Sequence, residues 1–240
     1  MNTETLQKMQ SMKLFGMHRA FSTAIESGLE GFTLDQFVAM MVESEADDRQ
    51  DRKIKRSITN ARFRYKACIE HIIFEARREL DKNEVLRLAE GTYLRKGENV
   101  IITGSTGTGK SYLASALGYQ ACEEGTKSLY FNTIKLMTKL KMAKADGSYI
   151  KEMMRIERAD LLILDDFGLE HFDNQTRLIL LEMVEDRYSN KSIIIVSQLP
   201  IEVWCEVIGD KTISDAVLDR LVHNAHKIEL KGESMRRKRQ

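Results

Sequence analysis

Eight residues near the middle of the chain have the types and spacing of a phosphate-binding loop. They run Gly-Ser-Thr-Gly-Thr-Gly-Lys-Ser from Gly104 to Ser111 and fit the pattern G-x-x-x-x-G-K-[ST]. Glycines let the backbone turn tightly and point several N–H groups at one anion, and the positive end of a following helix adds to this attraction. Lys110 can reach the β- and γ-phosphates, and the Ser111 hydroxyl can ligate Mg²⁺. The motif predicts a nucleotide site made by Gly104, Ser105, Thr106, Gly107, Thr108, Gly109, Lys110, Ser111 and Tyr112.

An acidic pair follows an apolar run about 55 residues further along the chain. Four apolar residues at 161–164 precede Asp165 and Asp166, and open α/β sheets bind ligands at the carboxyl ends of such strands. In P-loop enzymes the first acid holds Mg²⁺, usually through water, and the next orients or deprotonates the attacking water. We expect Ser111 and Asp165 to be the metal ligands and Asp166 the water-activating acid. The alternative is a pair of acids that merely opens a loop.

Three further polar residues are candidates for contacts with the γ-phosphate. Gln198 follows the fourth predicted strand and is favoured over Ser197 as a phosphate or water contact, with a simple turn residue as the alternative. Arg220 lies on a predicted helix and could act as an arginine finger, although an arginine beside Asp219 is often only a surface ion pair. Arg236 could contact the nucleotide in cis or a partner, or belong to a solvated basic tail.

A basic segment covers residues 49–66, where Asp51 is the only acidic residue. Such a run is often a solvated helical face. Its charge density, with interspersed hydroxyl, amide and aromatic side chains, favours contacts with the phosphates of nucleic acid, without base selection. The candidate DNA-binding residues are Arg49, Arg52, Lys53, Lys55, Arg56, Arg62, Arg64 and Lys66.

The composition is that of a globular protein with a substantial core. The chain has 240 residues, of which 42% are apolar and 30% charged, and its net charge is +1. No apolar run approaches the roughly 20 residues that span a bilayer, and the first residues lack the features of a signal peptide. Three widely spaced cysteines fit reduced thiols. We expect a cytoplasmic protein with no membrane contact.

Alternating strands and helices are predicted to position these residues. Strands are expected at 99–103, 128–132, 160–164, 192–196 and 227–230, with helices at 112–124, 134–145, 175–188 and 213–225. This order predicts an α/β fold with a five-stranded parallel sheet covered by helices. Residues 1–48 carry helical periodicity that predicts a helical hairpin, with a capping box at Thr33 and Gln36, and a short helix is expected at 84–90. We divide the chain into a helical domain, 1–66, and a P-loop domain, 67–240.

Eight sequence blocks together resemble the IstB family, ATP-dependent helper proteins of insertion-sequence transposons that are related to the DnaC helicase loader. The resemblance spans nearly the whole chain. Its blocks are the P-loop and residues 12–17, 97–100, 145–148, 161–169, 197–200, 218–226 and 232–236.

The resemblance implies an AAA+ ATPase with ATP and Mg²⁺ as cofactors. It also implies a homo-oligomer with ATP at subunit interfaces, ATP-driven assembly on duplex DNA, DNA-stimulated hydrolysis and a cognate transposase as partner. By the same route Asp165 and Asp166 are the metal and water-activating acids, Gln198 is the sensor and Arg220 the finger acting in trans. Only ten residues follow Leu230, so we expect the C-terminal lid of other AAA+ proteins to be absent or minimal.

Two departures from the wider AAA+ pattern bear on the expected activity. Asp166 stands where most members have the longer Glu, which predicts slow turnover, and Gln198 stands where Asn or Thr is commoner. Three other functions share a P-loop core: a DnaC-like helicase loader in DNA replication, a small-molecule kinase, and a nucleotide switch without catalysis.

Overall fold

The computed structural model describes residues 2–28, 31–75 and 78–235. The chain divides into two compact units, Met1–Arg56 and Ser57–Gln240. Three helices form or enter the first unit: α1 (Asn2–Ser11), α2 (Phe15–Ser27) and α3 (Leu34–Ala61). The boundary between the units falls within α3, after Arg56, whereas the sequence predicted a helical domain that continues to residue 66.

The helices of the first unit begin and end at recognisable signals. The chain turns at Lys13, whose φ of 60° is left-handed. The described residues of the first unit therefore form or enter three helices in place of the predicted hairpin. The predicted capping box is present, because the Thr33 N–H donates to Gln36 Oε1 (3.0 Å) and the Gln36 N–H donates to Thr33 Oγ1 (3.3 Å).

Glu45 ties α3 to the start of α2. Its Oε2 accepts the N–H groups of Gly16 (2.8 Å) and Met17 (3.4 Å), and its Oε1 accepts Arg49 Nε (2.7 Å). Burial alone would raise the pKa of this carboxyl, but the hydrogen bonds from Arg49, Gly16 and Met17 outweigh it and lower the pKa. An ionised carboxylate at the N-terminal end of α2 therefore holds the two helices together.

The second unit begins with the end of α3 and a connecting segment. Ser57 Oγ donates to the Thr126 carbonyl (3.0 Å), and the Phe63 ring packs edge-on against Tyr130. These contacts explain why residues 57–66 group with the second unit. After a 3₁₀ turn at Ile69–His71 come α4 (Lys82–Ala89), which is capped by the Asp81 side chain, and α5 (Thr92–Lys96).

A five-stranded parallel sheet forms the centre of this unit, in the order β2-β3-β4-β1-β5. The strands are β1 (Asn99–Gly104), β2 (Ser128–Asn132), β3 (Leu161–Phe167), β4 (Ser192–Ser197) and β5 (Ala225–Leu230). The connecting helices are α6 (Lys110–Glu123), α7 (Thr133–Asp146), α8 (Tyr149–Glu157), α9 (Asn174–Glu185), α10 (Trp204–Ile208) and α11 (Lys211–Val222). A second 3₁₀ turn at Ile201–Val203 precedes α10.

Both faces of the sheet are buried. Ile101, Ile193 and Ile195 belong to the core beneath α7–α11, whereas Val100, Ile102 and Ile194 belong to the core beneath α4–α6. Neighbouring residues of a strand point to opposite faces, so each apolar run fills both layers. Parallel strands that are covered on both faces have continuous apolar sequences, and the strands of this sheet were predicted from such apolar runs.

The predicted fold class, a P-loop α/β fold with a five-stranded parallel sheet covered by helices and a helical N-terminal region, is confirmed. The strands appear within three residues of their expected ends, and the helices α5, α8 and α10 were not predicted. Among the described residues after β5, 231–235, no helix occurs. No helix in the described ranges is long and apolar enough to cross a membrane.

Candidate nucleotide site

The phosphate-binding loop connects β1 to α6, as its sequence predicted. Gly107 and Gly109 have φ values of 86° and 96°, in the left-handed region that glycine adopts most readily. Their missing side chains also leave room for close neighbours. A Cβ on Gly107 would lie 2.2 Å from Ser234 Oγ, and one on Gly109 would lie 2.8 Å from Arg78 Nη2.

Lys110 starts α6 and turns its side chain back over the loop. Its Nζ donates to the carbonyls of Gly104 (2.7 Å) and Ser105 (2.8 Å), and the residue is buried. The backbone carbonyls hold the ammonium above the loop, in the position from which a P-loop lysine serves bound phosphates.

Asp165 is buried near the end of β3, where three side chains donate to its carboxylate and a fourth donates to its backbone carbonyl. Ser111 Oγ donates to Oδ1 (3.0 Å), and Arg64 Nη1 donates to Oδ2 (2.9 Å). The Tyr130 hydroxyl also donates to Oδ2, and the Thr133 hydroxyl donates to the Asp165 backbone carbonyl (2.9 Å). Burial and the nearby Asp165 carboxylate both raise the pKa of Tyr130, so Tyr130 stays a proton donor to this carboxylate.

Asp166 is turned out of the strand by a bulge. The pairing of β3 with β4 shifts between Leu164 and Phe167, and Asp166 has a φ of 58°. Its Oδ2 accepts Asn132 Nδ2 (2.8 Å) and Arg64 Nη1 (3.1 Å). The bulge therefore directs two successive carboxylates toward the same end of the sheet, where a regular strand would send them to opposite faces.

The oxygens at this point suit a magnesium ion. A serine hydroxyl and an aspartate carboxylate, 3.0 Å apart, are hard oxygen donors of the kind that Mg²⁺ prefers. The pairing of Ser111 with Asp165 thus fits the predicted metal ligands.

Gln198 follows β4, which lies between β1 and β3 in the sheet. Thr106 Oγ1 donates to Gln198 Oε1 (2.5 Å). The structure therefore brings Gln198 onto the phosphate-binding loop, and its role as a sensor stays a prediction.

A cavity of about 600 Å³ opens beside the loop, within the range of small-molecule sites. Gly107, Gly109, Lys110 and Ser111 line one side of it. The other side includes Tyr65, Tyr112, Ile72, Ile73 and Arg78. The rings of Tyr65 and Tyr112 have centroids 6.1 Å apart, so the cavity joins a polar phosphate end to an aromatic and aliphatic end.

Arg78 joins the segment before α4 to the loop, a contact that no motif in the sequence predicts. The residue is 7% exposed, and its guanidinium donates to the carbonyls of Thr108 (2.7 Å) and Ile73 (2.5 Å). Its Nε is buried without a hydrogen-bond partner among the described residues, and burial lowers the pKa of the guanidinium. Arg78 therefore fixes the loop on the side that faces the cavity.

Arg220 lies far from the phosphate-binding loop of its own chain. Its guanidinium pairs with Glu185 Oε1 (2.9 Å), and its backbone carbonyl accepts Asn99 Nδ2 (3.1 Å). Asn99 begins β1 and Gly104 ends it, so at roughly 3.3 Å per residue the strand separates them by about 17 Å. The structure therefore does not bring Arg220 to the other predicted site residues.

The predicted DNA-binding residues have different surroundings. In the first unit Arg49 and Arg52 pair with Glu45, and Arg52 also pairs with Asp48 (2.7 Å), whereas Lys53, Lys55 and Arg56 are exposed. In the second unit Arg62 and Lys66 are exposed, but Arg64 binds both acids of the nucleotide site. Arg236 lies outside the described residues.

Sequence reasoning missed Asn132 and Tyr130 as well as Arg78. Asn132 caps α7, accepting the Lys135 N–H (3.1 Å), and donates to Asp166. A signal was available here, because an asparagine between a strand and a helix is a typical cap, and β2 alternation places Tyr130 and Asn132 on one face. For Arg78 no comparable signal exists.

A family model for IstB-like ATP binding proteins matches residues 7–240. The putative insertion sequence ATP-binding protein y4pL of Sinorhizobium fredii is 42% identical over 234 residues, covering 97% of this chain and 96% of that protein. The insertion sequence IS1162 putative ATP-binding protein of Pseudomonas fluorescens is 34% identical over 202 residues, covering 83% and 87%.

Solved structures share the fold. The DnaC helicase loader superposes with a TM-score of 0.59 at 18% identity, covering 70% of this chain and 98% of that one. The replication initiator DnaA, bound to AMPPCP and single-stranded DNA, has a TM-score of 0.60 at 20% identity, covering 72% and 52%.

Proposed function

The chain belongs to the family of IstB-like ATP binding proteins, and we propose that it is a Mg²⁺-dependent ATPase that assembles on duplex DNA and assists a transposase. The observation that carries the proposal is the meeting of the phosphate-binding loop, the Ser111–Asp165 pair and Asp166 at one end of the sheet. The names of its relatives, insertion sequence ATP-binding proteins, support a role in transposition over one in helicase loading.

ATP fits the cavity in one direction. Its phosphates bind at the loop and its base lies at the end lined by Tyr65, Tyr112 and Ile72. Aromatic and aliphatic side chains suit the base because its faces are apolar and polarizable.

Each polar residue of the site then has a defined task. Ser111 and Asp165 hold Mg²⁺, which when bound neutralises charge on the β- and γ-phosphate oxygens. Asp166 accepts a hydrogen bond from the attacking water, while Asn132 keeps its carboxylate in place (2.8 Å). Gln198, hydrogen-bonded to Thr106, contacts the γ-phosphate or this water.

Hydrolysis requires a second subunit. The side chain of Arg220 starts beside Asn99, at the opposite end of β1 from its own loop, so a finger role demands the loop of a neighbouring copy. ATP bound at such an interface couples assembly to hydrolysis, because each subunit completes the site of the next.

DNA contacts in this proposal come from the exposed cations of α3. Lys53, Lys55 and Arg56 are exposed, whereas Arg49 pairs with Glu45 and Arg52 pairs with Asp48. A charge-reversal variant of Lys53, Lys55 and Arg56 is therefore the appropriate test of this surface. Reversing Arg52 would also break its ion pairs within the first unit.

Subunit mixing tests the proposed ATPase. Arg220→Ala and Lys110→Ala are each expected to be inactive, and an equimolar mixture to recover part of the wild-type rate, since Lys110→Ala subunits lend their Arg220 to intact loops. Arg158→Ala, which removes an exposed arginine of the same unit, is the control. Full activity of Arg220→Ala alone would favour a monomeric kinase-like site, and absence of stimulation by duplex DNA would contradict the DNA-dependent assembly.

A further inference from the structure

Arg64 belongs to the basic segment 49–66 in the sequence, but in the structure its side chain contacts the two acids of the nucleotide site. Helix α3 ends at Ala61, and Arg62 adopts a left-handed φ of 57° that redirects the chain. Phe63 then packs edge-on against Tyr130, with centroids 6.3 Å apart, which fixes the backbone immediately before Arg64. The turn and the partly buried ring together aim Arg64 at the nucleotide site.

One nitrogen of Arg64 bridges the two acids. Nη1 lies 2.9 Å from Asp165 Oδ2 and 3.1 Å from Asp166 Oδ2. Such charge-assisted hydrogen bonds are roughly twice as strong as neutral ones. The hydrogen bond to Asp165 raises the pKa of the guanidinium, although partial burial lowers it. Arg64 therefore remains a cation whose charge is applied to both carboxylates.

A cation at this position has two opposite effects on the ligands of the site. It repels a second cation at the same carboxylates and shares the oxygens that the metal needs. It attracts the phosphates of a nucleotide bound at the phosphate-binding loop, which leads into α6 next to Ser111. Each effect acts over a few ångströms in partly desolvated surroundings, where charge interactions are much stronger than in water.

We propose that Arg64 is a residue of the nucleotide site and not of the DNA-binding surface. It strengthens the binding of metal-free nucleotide and weakens the dependence of nucleotide binding on Mg²⁺. This inference rests on the proposed nucleotide site and adds to it a residue that sets its metal requirement. It also gives Arg64 a role separate from that of its neighbours Arg62 and Lys66.

The proposal predicts a change of opposite sign in two affinities. In Arg64→Gln, the Kd for a fluorescent ADP analogue measured with EDTA is expected to rise about fivefold, because one phosphate-attracting charge is lost. The gain in ADP affinity on adding Mg²⁺ is expected to increase about tenfold, because the competing cation is gone. Arg64→Lys, which keeps the charge, is expected to restore most of the wild-type ratio.

Arg62→Gln is the matched control, because it removes an exposed arginine two residues away. It is expected to leave both ADP affinities unchanged and to weaken binding to a duplex, with a smaller salt dependence. Arg64→Gln is expected to leave duplex binding unchanged when the nucleotide is present at a concentration that saturates both proteins.

Three results would overturn the proposal for Arg64 alone. They are an unchanged Mg²⁺ effect in Arg64→Gln, a parallel loss of both ADP affinities that marks a structural role, and a loss of duplex binding equal to that of Arg62→Gln. Failure of the wild-type chain to bind the ADP analogue would instead overturn the proposed function, and this inference with it.

Discussion

Arg78 offers a quantitative test of how the phosphate-binding loop is held. The proposed change is Arg78→Met, which keeps the length of the side chain but removes the donors to the Thr108 and Ile73 carbonyls. A hydrogen bond from a charged group contributes about 1.5–3 kcal/mol, so two contribute roughly 3–6 kcal/mol before the cost of burying the guanidinium. Because only Thr108 belongs to the loop, we assign about 2 kcal/mol to nucleotide binding, which is about thirtyfold in Kd.

Isothermal titration of the wild type and of Arg78→Met with an ATP analogue would measure this change, with thermal unfolding recorded in parallel. Arg87→Met is the control, since Arg87 is an exposed arginine on α4. Arg78→Lys keeps the charge without the fork of donors and is expected to fall between the wild type and Arg78→Met. Wild-type ATP affinity in Arg78→Met, with or without a lower melting temperature, would refute the role given to this residue.

Three other changes test separate parts of the fold. Gly107→Ala is expected to lower ATP affinity at least tenfold, because its Cβ would meet Ser234, whereas Gly147→Ala, with a similar φ of 79° but open space, should only lower stability. Arg187→Met removes donors to four backbone carbonyls, three of them buried, and should destabilise the second unit by about 3–5 kcal/mol in urea, followed by fluorescence of the buried Trp204. An effect below about 1 kcal/mol would contradict that assignment. Glu45→Gln should be less stable than wild type at pH 7 by circular dichroism. In the folded protein the pKa of Glu45 lies below its ordinary value of 4.5, so the difference in stability between the wild type and Glu45→Gln should shrink as the pH falls below 4.5. A stability difference that stays constant over this pH range would refute the role given to the Glu45 carboxylate.

Much of the second unit could be predicted because its local and long-range signals agree. The apolar runs that became β1, β3 and β4 are buried on both faces; those of β1 and β3 are bounded by glycine or acidic residues, and that of β4 is bounded by serines. The phosphate-binding loop and the acidic pair are local motifs whose geometry follows from the order strand, loop and helix. The structure accordingly brings Ser111, Asp165 and Gln198 to one end of the sheet.

The rest of the site depends on contacts between residues distant in sequence. The Arg78 guanidinium reaches Thr108 across 30 positions, and that of Arg64 reaches Asp165 across 101. No periodicity or motif marks such pairs, because they arise from how the segment before α4 folds over α6. The same reason explains why the basic run looked uniform in the sequence, although Arg64 has different partners from Lys53 or Arg56.

The first unit was harder to predict because its apolar periodicity continues through the turn that separates α1 from α2. Leu14 and Met17 keep helical spacing with Leu6 and Met9, yet Lys13 adopts a left-handed conformation between them. A lysine is not a typical residue for this conformation, so no helix-breaking residue marked the turn in the sequence.

Sedimentation velocity of a fluorescent duplex DNA tests the central claim, that ATP drives assembly of this chain on DNA. With the wild type and a non-hydrolysable ATP analogue, we expect the duplex to move as one large complex that needs the nucleotide and disappears for Lys110→Ala. Salt should weaken the complex steeply, by roughly 10³-fold between 50 and 200 mM if about six phosphates are neutralised. A duplex that sediments alone at every nucleotide condition, or equally fast with Lys110→Ala, would contradict the account.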